Sequence, residues 1–128
     1  VETAIAYRVK GRLEEVRARL VEALKEEGFG VLSEIPISEV LRARAGVEME
    51  PYLVLGACNP QLARRALEAD RRAGVLLPCN LVLRQVEEEV EVLLQNPLAF
   101  FPLLPDLPEG VAREALDRLQ RAVGRLEG

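Results

Sequence analysis

Apolar and polar residues follow two clear periods along this chain. Over the first ten residues, Val1 to Lys10, Thr3, Ile5, Tyr7 and Val9 alternate with Ala4, Ala6, Arg8 and Lys10, the period of two that marks a half-buried strand. Gly11 ends the run. Leu13, Val16, Leu20 and Leu24 then recur at helical spacing, with Gly28 placed where a helix stops. Phe29, Val31, Ser33 and Ile35 share one side of a second strand, broken by Pro36. Ile37 to Ala45 predicts a short helix, stopped by Gly46. Glu50 to Cys58 is a third strand, apolar on both faces and therefore expected to be central.

The second half continues in kind. Pro60 to about Arg72 predicts a helix with Leu62, Ala63, Ala66 and Leu67 on its apolar stripe, and Gly74 punctuates it. Val75 to Val86 and Val90 to Gln95 read as a hairpin, joined by Glu87, Glu88 and Glu89 in place of an Asn-Gly or Asp-Gly turn. A proline-rich apolar stretch follows from Asn96 to Pro108. The last helix, Glu109 to about Leu126, aligns Ala112, Leu116, Leu119, Val123 and Leu126. The order β-α-β-(α)-β-α-β-β-α predicts an α+β fold: two layers, a mostly antiparallel sheet and helices packed on one face. No linker interrupts the pattern, so residues 1–128 are expected to form one domain.

Composition narrows the chemistry. The chain has 128 residues and no histidine. That excludes Ser-His-Asp and Cys-His catalysis and any His-ligated zinc, copper or haem. A net charge of −4, with acids and bases interleaved, argues against nucleic acid as a partner. No apolar run approaches the roughly 20 residues that span a bilayer, and Val1 to Lys10 lack the basic region and apolar core of a secretory signal. Two cysteines are too few for a disulfide scaffold. A soluble, cytoplasmic protein is expected, without membrane partner, cofactor or metal. Arg far outnumbers Lys and Glu far outnumbers Asp, a bias that suits a thermophile.

Three segments carry candidate chemistry. Cys58, Asn59 and Pro60 lie where a strand gives way to a helix, with Asn59 suited to the N-cap and Pro60 to the first helical position. These residues make a sound helix start; alternatively, the exposed N–H groups hold a small anion or depress the Cys58 pKa. Pro78, Cys79 and Asn80 form the second segment. A proline within a strand points to an edge, a bulge or a bend, able to re-aim Cys79 or Asn80; alternatively, Cys79 is a small buried hydrophobe. Two thiols are half of a zinc site and no further ligand is spaced near them. In the third segment, Leu98, Phe100, Phe101, Leu103 and Leu104 either wrap the domain's own core or meet a second subunit. The Glu87–Glu89 run reads as a solvated turn.

Glu27-Gly28-Phe29-Gly30-Val31, Gly56-Ala57-Cys58-Asn59-Pro60 and Gly74-Val75-Leu76-Leu77-Pro78-Cys79-Asn80 together resemble the prokaryotic "domain of unknown function 302" family. The resemblance covers most of the chain. It implies a compact domain of TATA-binding-protein-like architecture, dimeric, and DNA binding does not come with that architecture. It supplies no catalytic residue; Cys58, Asn59, Pro60, Pro78, Cys79 and Asn80 match its motifs by position. The glutamate-rich turn after Val86 departs from the glycine-containing turn it implies.

Three functions follow as expectations. The first is a non-enzymatic or accessory homodimer binding a small ligand or protein partner near the two Cys-Asn motifs, which requires a concave pocket there. The second is a thiol-dependent redox or sulfur-handling protein using Cys58 with Cys79, which requires an accessible low-pKa thiol. The third is a structural interaction module, in which both thiols are buried and inert.

Overall fold

The computed structural model describes residues 2–127. Its strands are β1 (Ala4–Lys10), β2 (Gly30–Ile35), β3 (Tyr52–Cys58), β4 (Cys79–Val86) and β5 (Glu89–Gln95). Its helices are α1 (Leu13–Glu26), α2 (Ile37–Ala45), α3 (Pro60–Ala69), the single turn α4 (Pro97–Phe100) and α5 (Glu109–Gly124). The strands form one sheet in the order β1-β5-β4-β3-β2, antiparallel at every pairing. This is the expected α+β fold with an antiparallel sheet. The β3 strand is interior, as its apolar faces imply, although the middle place belongs to β4.

Alternation in the strands selects the buried face. Val9 from β1, Leu55 and Ala57 from β3, Cys79, Leu81 and Leu83 from β4, and Val90, Val92 and Leu94 from β5 are all buried. Against them pack Val16, Leu20 and Leu24 of α1, Leu62 and Ala66 of α3, and Val111, Ala115, Leu119 and Val123 of α5, in one continuous core. Burying a Leu or Val side chain contributes about 1.5–3 kcal/mol, so the stripes read from the sequence carry most of the driving force.

Several boundaries move, each for a local reason. The first strand begins at Ala4, and Val1 lies outside the described residues. The α3 helix ends at Ala69 because Asp70 is extended and its side chain accepts a hydrogen bond from Arg72 N–H, starting a 3-10 segment over Arg71–Leu76. The expected strand from Val75 therefore begins only at Cys79, and Pro78 precedes it instead of interrupting it; the Leu77–Pro78 peptide is cis. The hairpin closes with a two-residue turn, Glu87-Glu88, between the paired residues Val86 and Glu89. Glu87 supplies the left-handed backbone, at φ 55°, that a glycine would ordinarily supply.

The proline-rich segment mostly faces inward. Phe101 is 6% exposed, and Leu98 and Leu104 pack on the core. Leu103, at 70% exposure, stands clear of it, as do Pro102, Pro105 and Pro108. Leu98, Phe101 and Leu104 thus wrap the domain's own core. Among the described residues no helix is long and apolar enough to cross a membrane.

Candidate functional site

Antiparallel pairing of β3 with β4 sets Ala57 beside Cys79 and Gly56 beside Asn80. This brings the two Cys-Asn motifs together at one end of the sheet. Cys58 closes β3, Asn59 caps α3, and Cys79 opens β4. Cys58, Asn59 and Cys79 line one small cavity with Phe29, Leu62 and Phe101. Pro60, Pro78 and Asn80 are not in its wall: Pro60 starts α3, Pro78 packs over Gly56, and Asn80 is exposed with its N–H donating to Gln95 Oε1 at 2.8 Å.

The cavity measures about 20 Å³, room for about one water molecule, whereas ligand pockets run to roughly 300–1,000 Å³. Among the described residues, the cavity at these motifs is thus smaller than ligand pockets ordinarily are.

The first turn of α3 is also fully engaged. Asn59 Oδ1 accepts from Gln61 N–H at 3.1 Å and from Leu62 N–H at 3.2 Å. Ala63 N–H donates to Asn59 O at 2.9 Å, and Pro60 has no N–H to offer. Asn59 is thus the N-cap that its position implies, and its side chain takes the N–H groups an anion would need. With these donors consumed, little remains to stabilise a Cys58 thiolate.

The thiols follow that accounting. Burial pushes the half-buried Cys58 thiol above its ordinary value of 9.0, the opposite of the depression that a free helix N-terminus produces. Burial, with a smaller repulsion from Cys58, pushes Cys79 up to about 11. Both side chains are free thiols. Among the described residues no group of three or more Cys, Asp or Glu is placed to hold a metal.

Two polar residues that matter were not singled out from sequence. The buried Glu27, at the end of α1, receives Arg121 of α5 at 3.2 Å and Arg125, the residue after α5, at 2.7 Å. Desolvation raises its pKa, but the hydrogen bonds and charges of the two arginines outweigh that and hold it below the ordinary carboxylate value. Gln85 sits on the inward face of β4. Its Oε1 accepts from Leu13 N–H at 2.8 Å, capping α1, while its Nε2 donates to the carbonyls of Gly11, Glu87 and Glu89. Its signal is visible in the alternation, as a polar residue on the apolar side of Leu81-Val82-Leu83-Arg84-Gln85.

Comparison with known proteins agrees with this architecture. The family described as "Domain of unknown function DUF302" matches residues 5–126. A crystal structure of an uncharacterised conserved DUF302 protein from Bacillus stearothermophilus is 29% identical, covers 98% of this chain and 97% of its own, and superposes with a TM-score of 0.83. No curated protein matches. With the family's profile matching nearly end to end and its fold reproduced, this chain belongs to the DUF302 family.

Proposed function

We propose that this DUF302 chain is a non-catalytic interaction module, in which the Cys58-Asn59-Pro60 and Pro78-Cys79-Asn80 motifs brace the fold. The observation that carries this reading is the engagement of every donor at the start of α3 beside a cavity of about 20 Å³. A site that binds a ligand or activates a thiol needs the opposite: free donors, room and an accessible thiolate.

A second Asn-Pro start within the same chain supports the bracing role. Asn96 Oδ1 accepts from Leu98 N–H at 3.0 Å, Pro97 opens α4, and Asn96 Nδ2 donates to Glu2 O at 2.8 Å. Asn59 repeats this arrangement, with Nδ2 donating to Glu27 O at 3.3 Å. No thiol stands beside Asn96, so the device works as a splice between segments without any sulfur chemistry.

The test is mass spectrometry of the native protein equilibrated in glutathione redox buffers. The expected result is two unmodified thiols across the cytosolic range of poise. A Cys58–Cys79 disulfide, or glutathione on Cys58, forming in the folded protein would replace this reading with the thiol-dependent one.

A further inference from the structure

The sheet has two faces, and only one is covered. Strand register places Ala6 beside Leu93, Leu93 beside Val82, Val82 beside Val54, and Val54 beside Ile35. All five point away from the helices: Ala6, Leu93, Val82 and Val54 alternate with the partly buried Ile5/Tyr7 and the buried Leu94, Leu81/Leu83 and Leu55, and Ile35 shares the face of its partner Val54. They form an apolar row across every strand of the sheet. Of the outward positions in the strands, Gly56 alone is buried, beneath Ser33 and Pro78. Antiparallel sheets ordinarily turn polar side chains to water on such a face.

On one side of the row lies a ladder of paired charges: Arg8 near Glu91, Glu91 on Arg84 at 2.9 Å, and Arg84 on Glu50 at 3.0 Å. On the other lie uncharged polar groups, Gln95, Asn80 and Ser33. We propose that this outer sheet face is a docking surface for a second copy of the same chain. The proposal rests on the interaction-module reading and names its partner.

Self-recognition follows from the pattern. A two-fold axis running along the apolar row lays the row on its own copy, the symmetry most homodimers use. The same rotation places the charge ladder of one copy over the amides and hydroxyl of the other, so that charges meet hydrogen-bonding groups and no like-charge row is opposed. The ladder is internally paired, which leaves little net field to attract a nucleic acid or a strongly charged protein. Five strands about 4.8 Å apart and about seven residues long make a face roughly 24 Å by 23 Å. Two such faces cover about 1,100 Å² in all, just above the roughly 1,000 Å² a specific interface needs and at the weak end of stable ones. The dimer is thus expected to dissociate on dilution.

Sedimentation of the full chain from low-micromolar to near-millimolar concentration tests this, on the wild type and on Val82→Glu, Ile35→Glu and Leu103→Glu. Wild type should dimerise reversibly. Val82→Glu, at the centre of the row, should weaken dimerisation at least tenfold, and Leu103→Glu, in the proline-rich segment, should leave it unchanged. Should Val82→Glu fail to fold, Ile35→Glu decides, because Ile35 is already 45% exposed on an edge strand, so its polar variant should still fold as a monomer. A chain monomeric at every concentration overturns the proposal and leaves the inert-thiol reading standing. So does a dimer indifferent to Val82→Glu and Ile35→Glu, or one lost on Leu103→Glu alone.

Discussion

A Cβ atom added to Gly28 would stand 2.9 Å from Nδ2 of Asn59. That approach joins two motifs far apart in the chain: the turn after α1 must be glycine, at φ +83°, so that Asn59 can reach the Glu27 carbonyl while it caps α3. Asn59→Ala removes the cap and the splice together and should cost about 0.5–2 kcal/mol. Asn59→Asp keeps the cap and loses the donor to Glu27, so its cost should be smaller. Urea denaturation of the three proteins measures both; an Asn59→Ala midpoint equal to wild type would contradict the bracing role.

Gly56 is constrained from the outer face. A methyl group there would press on the Ser33 hydroxyl and come within 2.8 Å of the Pro78 ring. Gly56→Ala should destabilise by about 1–3 kcal/mol, the usual range for overpacking. Adding Ser33→Ala should recover only part of this, because the Pro78 ring remains. Thermal melts of the single and double variants give the comparison, and full recovery would show that Pro78 yields.

The hairpin turn carries a removable penalty. A non-glycine residue in the left-handed region costs about 1–2 kcal/mol, less what glycine loses in unfolded-state entropy. Glu87→Gly should therefore stabilise by about 0.5–1 kcal/mol. A fall in the denaturation midpoint would mean that the Glu87 side chain contributes something that its geometry does not account for.

Glu27 couples stability to acid. Its folded pKa lies below the ordinary value of 4.5, with desolvation opposing and Arg121 and Arg125 prevailing. A depressed carboxylate adds stability that is fully present above its unfolded pKa and is lost as pH falls through the folded one. Glu27→Gln should consequently be less stable than wild type at neutral pH, with the gap closing as pH drops below about 4.5. Chemical denaturation at a series of pH values checks this, and a gap independent of pH would show that the charge of Glu27 is not what holds α5 to α1.

Much of the fold is legible in the sequence because burial enforces periodicity. The stripe of Leu13, Val16, Leu20 and Leu24 and the alternation of Leu81, Leu83, Val90, Val92 and Leu94 survive into the core unchanged. Breaks governed by local hydrogen bonding were harder to place. Asp70 ends α3 by bonding to the next turn, and the apolar run Val75-Leu76-Leu77 resembles a strand although it closes a 3-10 segment. At the site, adjacency of the two Cys-Asn motifs was open from sequence, since it depends on register between β3 and β4. The helix-end argument for Cys58 meets an obstacle specific to its neighbours: Asn59 caps α3 and takes the Gln61 and Leu62 N–H groups. Gln85 and Glu27 were overlooked because their partners come from distant segments.

Alkylation rate against pH distinguishes inert, bracing thiols at Cys58 and Cys79 from reactive ones. Cys58 and Cys79 would be followed separately through Cys58→Ser and Cys79→Ser. With its pKa pushed up to about 11, Cys79 is about one part in a thousand thiolate at pH 8 and buried besides; it should react only on unfolding. Cys58, half-buried and raised above 9.0, should react slowly at neutral pH and accelerate only as the solution becomes alkaline. Rapid Cys58 alkylation in the folded protein well below pH 8 would contradict the account and make thiol chemistry its replacement.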